Sequence, residues 1–310
     1  MKKVAYLHWA KTSDEVNLGY NWIKKLPSFL KDQYILKNCP VKVEEVPFLE
    51  TSFFEVQLPL TIEEANGKSE RYLQKLMDRV MEILEEKKVK MICFSEKGKN
   101  KLYYSIPISK GDYVIPFFIY WAILKVAGRS LEDTEVTILD GKNKTTDLIL
   151  DLIYPCVNYL NIISDETERF KVKSEEIYDD VGLNLQLLSH NKKTVLEYTD
   201  VIIDCRDIPH TDFYYCNKRA MYFYIGDNKE MVKNILIKCP DLKVIDDFIL
   251  SVQGKQYSTA FCEMIWFASK EWFDLIVSKE YTLGDLKQIH KEIVKDGWKV
   301  ENFCRYGNIV

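Results

Sequence analysis

The sequence predicts an α/β chain of two domains, the second built on a parallel sheet flanked by helices. Three observations carry this. Residues 135–146 read EVTILDGKNKTT: a β-branched apolar run closed by Asp140-Gly141, then Thr145-Thr146 opening an apolar helical pattern, so that a strand turns tightly into a helix. After it, short apolar runs alternate with helical patterns, as a parallel sheet with crossover helices requires. Before it lies a segment of about 110 residues with strands and an amphipathic helix of its own.

The totals set bounds. A chain of 310 residues is long enough for two cores. Its 47% apolar and 29% charged residues are those of an ordinary globular protein. A net charge of −4 argues against a dedicated nucleic-acid binder, which carries a basic excess. No stretch reaches the roughly 18 apolar residues of a membrane span. The nearest, YVIPFFIYWAIL at 113–124, contains Pro116 and is followed by Lys125, which suits a buried helix. The N-terminal apolar run is too short for a signal peptide. Eight scattered cysteines without a CxxC pair, and four dispersed histidines, match no metal-ligand spacing. No metal is expected, and the cysteines read as reduced thiols of a cytoplasmic protein.

In chain order, 3–9 reads as a strand and 16–30 as a helix with Trp22, Ile23, Leu26 and Leu30 at helical spacing. Alternating valines make 41–47 a strand, and Pro47 and Pro59 suggest loop structure with short strands between them. Residues 69–87 form the clearest amphipathic helix, with Leu73, Leu76, Val80, Ile83 and Leu84 on one stripe. KMICFS at 90–95 is a buried strand, 98–110 is irregular apart from a strand-like 102–106, and Gly128 is placed to end the apolar helix 113–127. The second domain then offers strands at 136–139, 159–164, 183–188, 200–205, 219–225 and 243–248, and helices at 147–157, 174–180 and 194–198. Apolar helices at 257–277 and 285–295 and a strand at 299–303 close the chain. The organisation expected is an N-terminal α/β domain (1–112), a bridging helix (113–128), a parallel-sheet domain (129–250) and C-terminal helices packing back (251–310).

In an open parallel sheet, ligands bind beyond the carboxyl ends of the strands. That selects Asp140, Gly141, Lys142, Asn143, Lys144, Thr145 and Thr146, then Ser164-Asp165, Cys205 to Ile208, and Gly226-Asp227. The first group offers a helix N-terminus that attracts phosphate, two lysines, and two threonines able to cap the helix or donate to an anion. The dinucleotide pattern GxGxxG and the Walker loop GxxxxGK[ST] are both absent. The alternative is that Asp140-Gly141 makes only a turn and the threonines only cap a helix. Asp165 follows Gly141 by 24 residues, near where an acidic residue accepts the ribose hydroxyl of NAD.

Over residues 111–272 the layout resembles the shikimate dehydrogenase and methylenetetrahydrofolate dehydrogenase group of amino-acid-dehydrogenase-like, two-domain Rossmann proteins. The apolar helix ending in Ala127-Gly128, the connector Arg129-Ser130-Leu131, EVTILDG, TDVIIDC (199–205) and RAMYFYIG (219–226) follow that plan. The resemblance implies NAD as cofactor, a small polar metabolite in an interdomain cleft, and a loop over the nicotinamide after TDVIIDC. It also implies that Gln256, with the helix bearing Ala260, Glu263 and Trp266, contacts substrate. The group's catalytic lysine and aspartate find an approximate counterpart in Lys110 and Asp112, whose spacing does not align. Such a pair would move a proton to or from a substrate hydroxyl; the alternative is an exposed turn. Two readings follow: an NAD(P)-dependent dehydrogenase, or a divergent Rossmann-fold protein without a dinucleotide that serves in binding or interaction. The partner expected is a small-molecule substrate, with neither nucleic acid nor membrane; the oligomeric state is open.

Overall fold

A computed structural model describes residues 2–12, 15–16, 21–96, 102–127, 130–190, 192–226 and 228–310. The chain forms two compact units, one of residues up to Gly111 with Ala260–Leu275, the other of Asp112–Thr259 with Ile276–Val310.

The first unit opens with β1 (Lys3–Ala10). Of the helix expected at 16–30, residues 17–20 lie outside the described residues, and the described part is not one helix. A 3-10 turn (Asn21–Lys25) ends before Pro27, and α1 (Ser28–Asn38) begins after it. Pro27 lacks an N–H and holds an extended ψ of 145°, so the helix restarts there. The expected apolar face splits accordingly: Ile23 is buried, while Trp22 is 59% exposed. Next come β2 (Lys42–Phe48), the strand expected at 41–47, and β3 (Thr51–Thr61), one long strand antiparallel to it where loop structure with short strands was expected. Pro47 is tolerated because β2 is an edge strand, and Pro59 lies opposite the register irregularity between His8 and Ala10 of β1. Then follow α2 (Ile62–Asn66), α3 (Glu70–Glu86) and β4 (Val89–Phe94). Ser69 caps α3 by accepting from the Tyr72 amide, and Leu73, Leu76, Met77, Val80 and Leu84 bury its apolar stripe. The sheet order is β2-β3-β1-β4, with β1 parallel to both β3 and β4. Residues 102–106 form no strand; an isolated bridge joins Ile92 and Ile108.

The second unit starts at α4 (Ile115–Ala127), whose Phe118, Ile119, Ala122 and Ile123 are fully buried. Gly128 and Arg129 lie outside the described residues. There follow β5 (Glu135–Leu139), α5 (Lys144–Ile153), β6 (Tyr159–Ile163), α6 (Lys171–Val181), β7 (Gln186–Leu188), α7 (Lys192–Tyr198), β8 (Val201–Asp204), β9 (Met221–Tyr224), α8 (Lys229–Lys238) and β10 (Lys243–Ile245). Pro155 turns the end of α5 into a 3-10 turn, Tyr154–Cys156. The six strands are all parallel, in the order β10-β9-β8-β5-β6-β7. This is the doubly wound Rossmann order, and strand order reverses between β5 and β8.

The tail holds more strand than expected. β11 (Asp247–Val252) and β12 (Lys255–Ser258) form a hairpin across Gln253-Gly254, both with positive φ. The single apolar helix expected over 257–277 is two: α9 (Thr259–Ser269) and α10 (Phe273–Ser278). After α11 (Leu283–Asp296), β13 (Lys299–Arg305) and β14 (Asn308–Ile309) complete an antiparallel sheet in the order β12-β11-β13-β14. No helix among the described residues is long and apolar enough to cross a membrane.

Candidate functional site

The reversal between β5 and β8 places two loops side by side at the carboxyl edge of the sheet. After β5, the Asp140 side chain is fully buried. Its Oδ1 accepts from the Lys142 amide at 2.7 Å, which closes an Asx turn, and its Oδ2 accepts from Ser164 Oγ at 2.7 Å. Lys142 takes a left-handed φ of 54°. Asn143 caps α5: its Oδ1 accepts from the Thr146 amide at 3.0 Å, and its Nδ2 donates to the Cys205 carbonyl at 3.0 Å. Thr146 Oγ1 accepts in turn from the Gly141 amide at 3.1 Å. Gly141 is demanded by crowding, since a Cβ there would stand 1.9 Å from the Cys205 carbonyl oxygen. Gly226 is constrained alike, its notional Cβ lying 2.3 Å from the Arg206 carbonyl oxygen. The turn thus consumes its own amides: Gly141, Lys142 and Thr146 are all bonded from within.

The loop after β8 is held by a second buried carboxylate. Asp204 accepts from Arg206 Nε at 2.9 Å, from His210 Nε2 at 2.7 Å and from the Tyr222 hydroxyl. Arg206 also donates to Asp212 at 2.7 Å. Burial pushes the Asp204 pKa up, but the His210 hydrogen bond and the Arg206 charge outweigh it and hold the carboxyl below its usual range. Burial, then the Asp204 charge, drives the Cys205 thiol far above its ordinary value, so Cys205 meets the site through its carbonyl rather than as a nucleophile.

A cavity of about 240 Å³ opens at this edge, wholly within the second unit. Asn143, Lys144, Thr145 and Leu148 of the α5 start line it, with Asp207 and Ile225 from the ends of β8 and β9. Asp112 and Tyr113 add to the wall, as do Ile276, Lys279 and Tyr281 from the segment around the end of α10. A second cavity, about 480 Å³, lies along α5 and shares Asn143, Lys144 and Lys279 with the first. The α10 end is tied to α5. Lys279 pairs with Asp147, Tyr281 donates to Asp151 at 3.3 Å, and Lys144 Nζ reaches the Ser278 carbonyl at 3.3 Å.

The structure therefore gathers Asp112, Asn143, Lys144 and Thr145 in one cavity, with Asp140, Gly141, Thr146 and the Cys205 carbonyl behind them. Lys142 pairs with Glu166 at 2.7 Å. Asp165, past the end of β6, is 70% exposed and pairs with Lys192 at 3.2 Å, whose hydrogen bond and charge lower its pKa. Lys110 belongs to the first unit, where its amide donates to Glu263 Oε1 at 3.2 Å. Gln256 is exposed on β12, opposite Ser251. Asp227 lies outside the described residues. Asp207, inside the selected stretch Cys205 to Ile208, lines the cavity; sequence reading missed Lys279, Tyr281 and the Asp204 network. The network had a signal, since an aspartate ending a fully buried strand needs a counter-charge, and Arg206 follows it. Among the described residues no His, Cys, Asp or Glu cluster is arranged to hold a metal ion.

No protein-family model matches the chain, and no curated protein does. Among solved structures, the chain is similar to a quinate dehydrogenase from Corynebacterium glutamicum in complex with NAD, at 9% identity over 95% of this chain and 99% of that one, with a TM-score of 0.39. It is also similar to a shikimate dehydrogenase in complex with NADP+ (10% identity, 94% and 95% of the chains, TM-score 0.37). An L-tryptophan dehydrogenase from Nostoc punctiforme is a third (9% identity, 96% and 89%, TM-score 0.35). These are likenesses of fold alone, and no residue is carried across from them.

Proposed function

We propose that the second unit binds a small polar metabolite in the cavity at the start of α5, as a divergent Rossmann-fold protein that does not hold a dinucleotide pyrophosphate on its first βα turn. The observation that carries this is the filled turn. A pyrophosphate needs backbone amides and close approach at the glycines. Here the Gly141, Lys142 and Thr146 amides are spent on Thr146, Asp140 and Asn143, and the Cys205 carbonyl abuts Gly141. Asp140 adds a buried carboxylate beneath the place where phosphate oxygens would sit. NAD therefore does not fit this turn. The cavity offers instead carboxylates from Asp112 and Asp207, ammonium groups from Lys144 and Lys279, and an apolar wall of Leu148, Ile225 and Ile276. A few convergent polar groups on an apolar wall suit a compact polar molecule.

A thermal-shift screen of the full chain tests this. A bound metabolite at 100 times its Kd adds about 2.7 kcal/mol of stability. NAD and NADP are expected to add none.

The second reading, an NAD(P)-dependent dehydrogenase acting on a small polar metabolite, is favoured by one observation: an ionised carboxylate, Asp165, directly follows β6 in a sheet of Rossmann order. A carboxylate there selects a 2′-hydroxyl over a 2′-phosphate. Saturable NAD binding that Asp165→Ala abolishes or relaxes toward NADP would establish this reading and overturn the first.

A further inference from the structure

The two cavities meet at Lys279, and we infer that Lys279 is a ligand-binding gate: its ion pair with Asp147 divides one groove in two, and an anionic group on the ligand draws Lys279 away and joins the halves. The inference rests on the reading of the first cavity as a metabolite site, and it names the ligand class: a small polar body carrying a phosphate or similar multiply charged oxyanion.

The cavities of about 240 Å³ and 480 Å³ share Asn143, Lys144 and Lys279, so these residues are the partition. Joined, they fall within the range of about 300–1,000 Å³ usual for small-molecule sites, which the first alone does not reach. Charge sets the class. Lys142, Lys144, Arg169, Lys173 and Lys279 line the second cavity against the carboxylates of Asp147 and Asp151; Lys142 pairs with Glu166, Lys173 with Asp151 and Glu176, and Arg169 with Asp147 and Asp140, which leaves Lys144 and the exchangeable Lys279 as the cations for an incoming anion.

The exchange is balanced. Asp147 accepts from Arg169 Nη2 at 2.6 Å as well as from Lys279, so it keeps a cation when Lys279 leaves. The pair is also reachable, with Lys279 37% and Asp147 26% exposed, and ion pairs so open to water hold weakly. Finally, Lys279 holds a left-handed φ of 62°, a conformation glycine takes with less strain. What lysine adds at that position is its side chain, which reaches the shared wall. Lys144, whose Nζ now lies 3.3 Å from the Ser278 carbonyl, is the second cation at the same wall.

The test is calorimetric titration of the full chain with inorganic phosphate and with pyrophosphate, at low chloride, for wild type, Lys279→Met, Lys279→Arg and Asp147→Asn. Pyrophosphate is expected to saturate one site. Lys279→Met should weaken it at least tenfold, and Lys279→Arg should restore most of the loss. Asp147→Asn should tighten it several-fold, because it frees Lys279 for the ligand. Opposite signs for the two partners are the signature of competition; an ion pair that merely braces the fold would weaken binding in both or in neither. Saturable binding unaffected by Lys279→Met, or weakened alike by both changes, overturns the gate and leaves the metabolite site standing. Failure of wild type to bind either anion removes the ligand class and the gate, while the metabolite screen still reads the first cavity by itself. Melting curves of all four proteins establish that each is folded, and Asp147→Asn decides the sign even where Lys279→Met melts early.

Discussion

Replacing Gly141 with alanine puts the closed turn to a direct energetic test. The new Cβ would lie 1.9 Å from the Cys205 carbonyl oxygen and 2.6 Å from both its carbon and Asn143 Nδ2. Two of these atoms are backbone, so the β5 and β8 loops must separate. Separation threatens the Gly141 amide bond to Thr146 and the Asn143 bond to Cys205, each worth about 1 kcal/mol net. Overpacking adds about 1–3 kcal/mol. Lower freedom of the unfolded chain offsets about 0.4–1 kcal/mol. The expected loss is therefore about 2–4 kcal/mol. Urea denaturation read by tryptophan fluorescence and far-UV dichroism measures it. Gly284→Ala is the internal control: it meets only Thr282 Oγ1 at 3.5 Å, lies inside α11, and should be neutral or stabilise by up to about 1 kcal/mol. A Gly141→Ala protein within about 0.5 kcal/mol of wild type would refute the crowding, and with it the filled turn.

Two further outcomes follow from buried groups. Asp204→Ala leaves the buried Arg206 with Asp212 as its remaining carboxylate and removes the partner of His210 and Tyr222, and should cost about 3 kcal/mol, seen as a lower denaturation midpoint. Because the Asp204 pKa is lowered in the fold, its stabilisation is present above the unfolded carboxyl value of about 4 and is lost as pH falls through the folded one; acid titration of wild type should show that extra slope and Asp204→Asn should lack it. Trp121 is half-buried and stacks on His290 with ring centroids 4.6 Å apart. Trp121→Ala should cost less than the full core value of about 3–5 kcal/mol. It should also raise the His290 pKa toward its ordinary value, because burial is what lowers it, and NMR titration of the imidazole reads the change.

Much of the fold was legible because its signals are local. EVTIL, YLNII and VIID are apolar runs bounded by turn residues, and each becomes a central strand of the parallel sheet. The α3 stripe repeats at helical spacing, and Ser69 announces its start. Where the reading failed, a local feature was outweighed by pairing. Pro47 and Pro59 spoke for loops, but an edge position and a register shift accommodate both. The Gln253-Gly254 turn of the β11–β12 hairpin was overshadowed by the aromatic run after it. The site was legible only in half. Asn143, Lys144 and Thr145 are named by the strand-to-helix turn, whereas Lys279 and Tyr281 arrive from more than 130 residues away in sequence. Spacing along the chain cannot announce such a meeting; only tertiary packing brings the α10 end against α5.

On the proposed function, the carboxyl edge of the sheet gives the physical reason for a Rossmann strand order without a dinucleotide. A nucleotide-binding sheet presents glycine amides there, with positive potential from the helix start. This chain presents two buried carboxylates on neighbouring strands, Asp140 after β5 and Asp204 ending β8, each turned back into its own loop. A buried charge is tolerated only when paired and hydrogen-bonded. Asp204 has Arg206 and His210; Asp140 has Ser164, the Lys142 amide and Arg169 Nη1 at 3.5 Å. The loops are thus braced by interactions that a bound phosphate would otherwise supply. On the proposed reading, the same bracing sets carboxylates where a pyrophosphate would lie, and an anionic ligand would be steered to the outer face of α5, where Lys144 and Lys279 stand. On this reasoning Asp140→Asn, whose Oδ1 still accepts from the Lys142 amide while its Nδ2 donates to Ser164 Oγ instead of accepting from it, removes the turn's charge and should strengthen pyrophosphate binding. Equal affinity in the Asp140→Asn and wild-type proteins would show that the buried carboxylate does not direct the ligand.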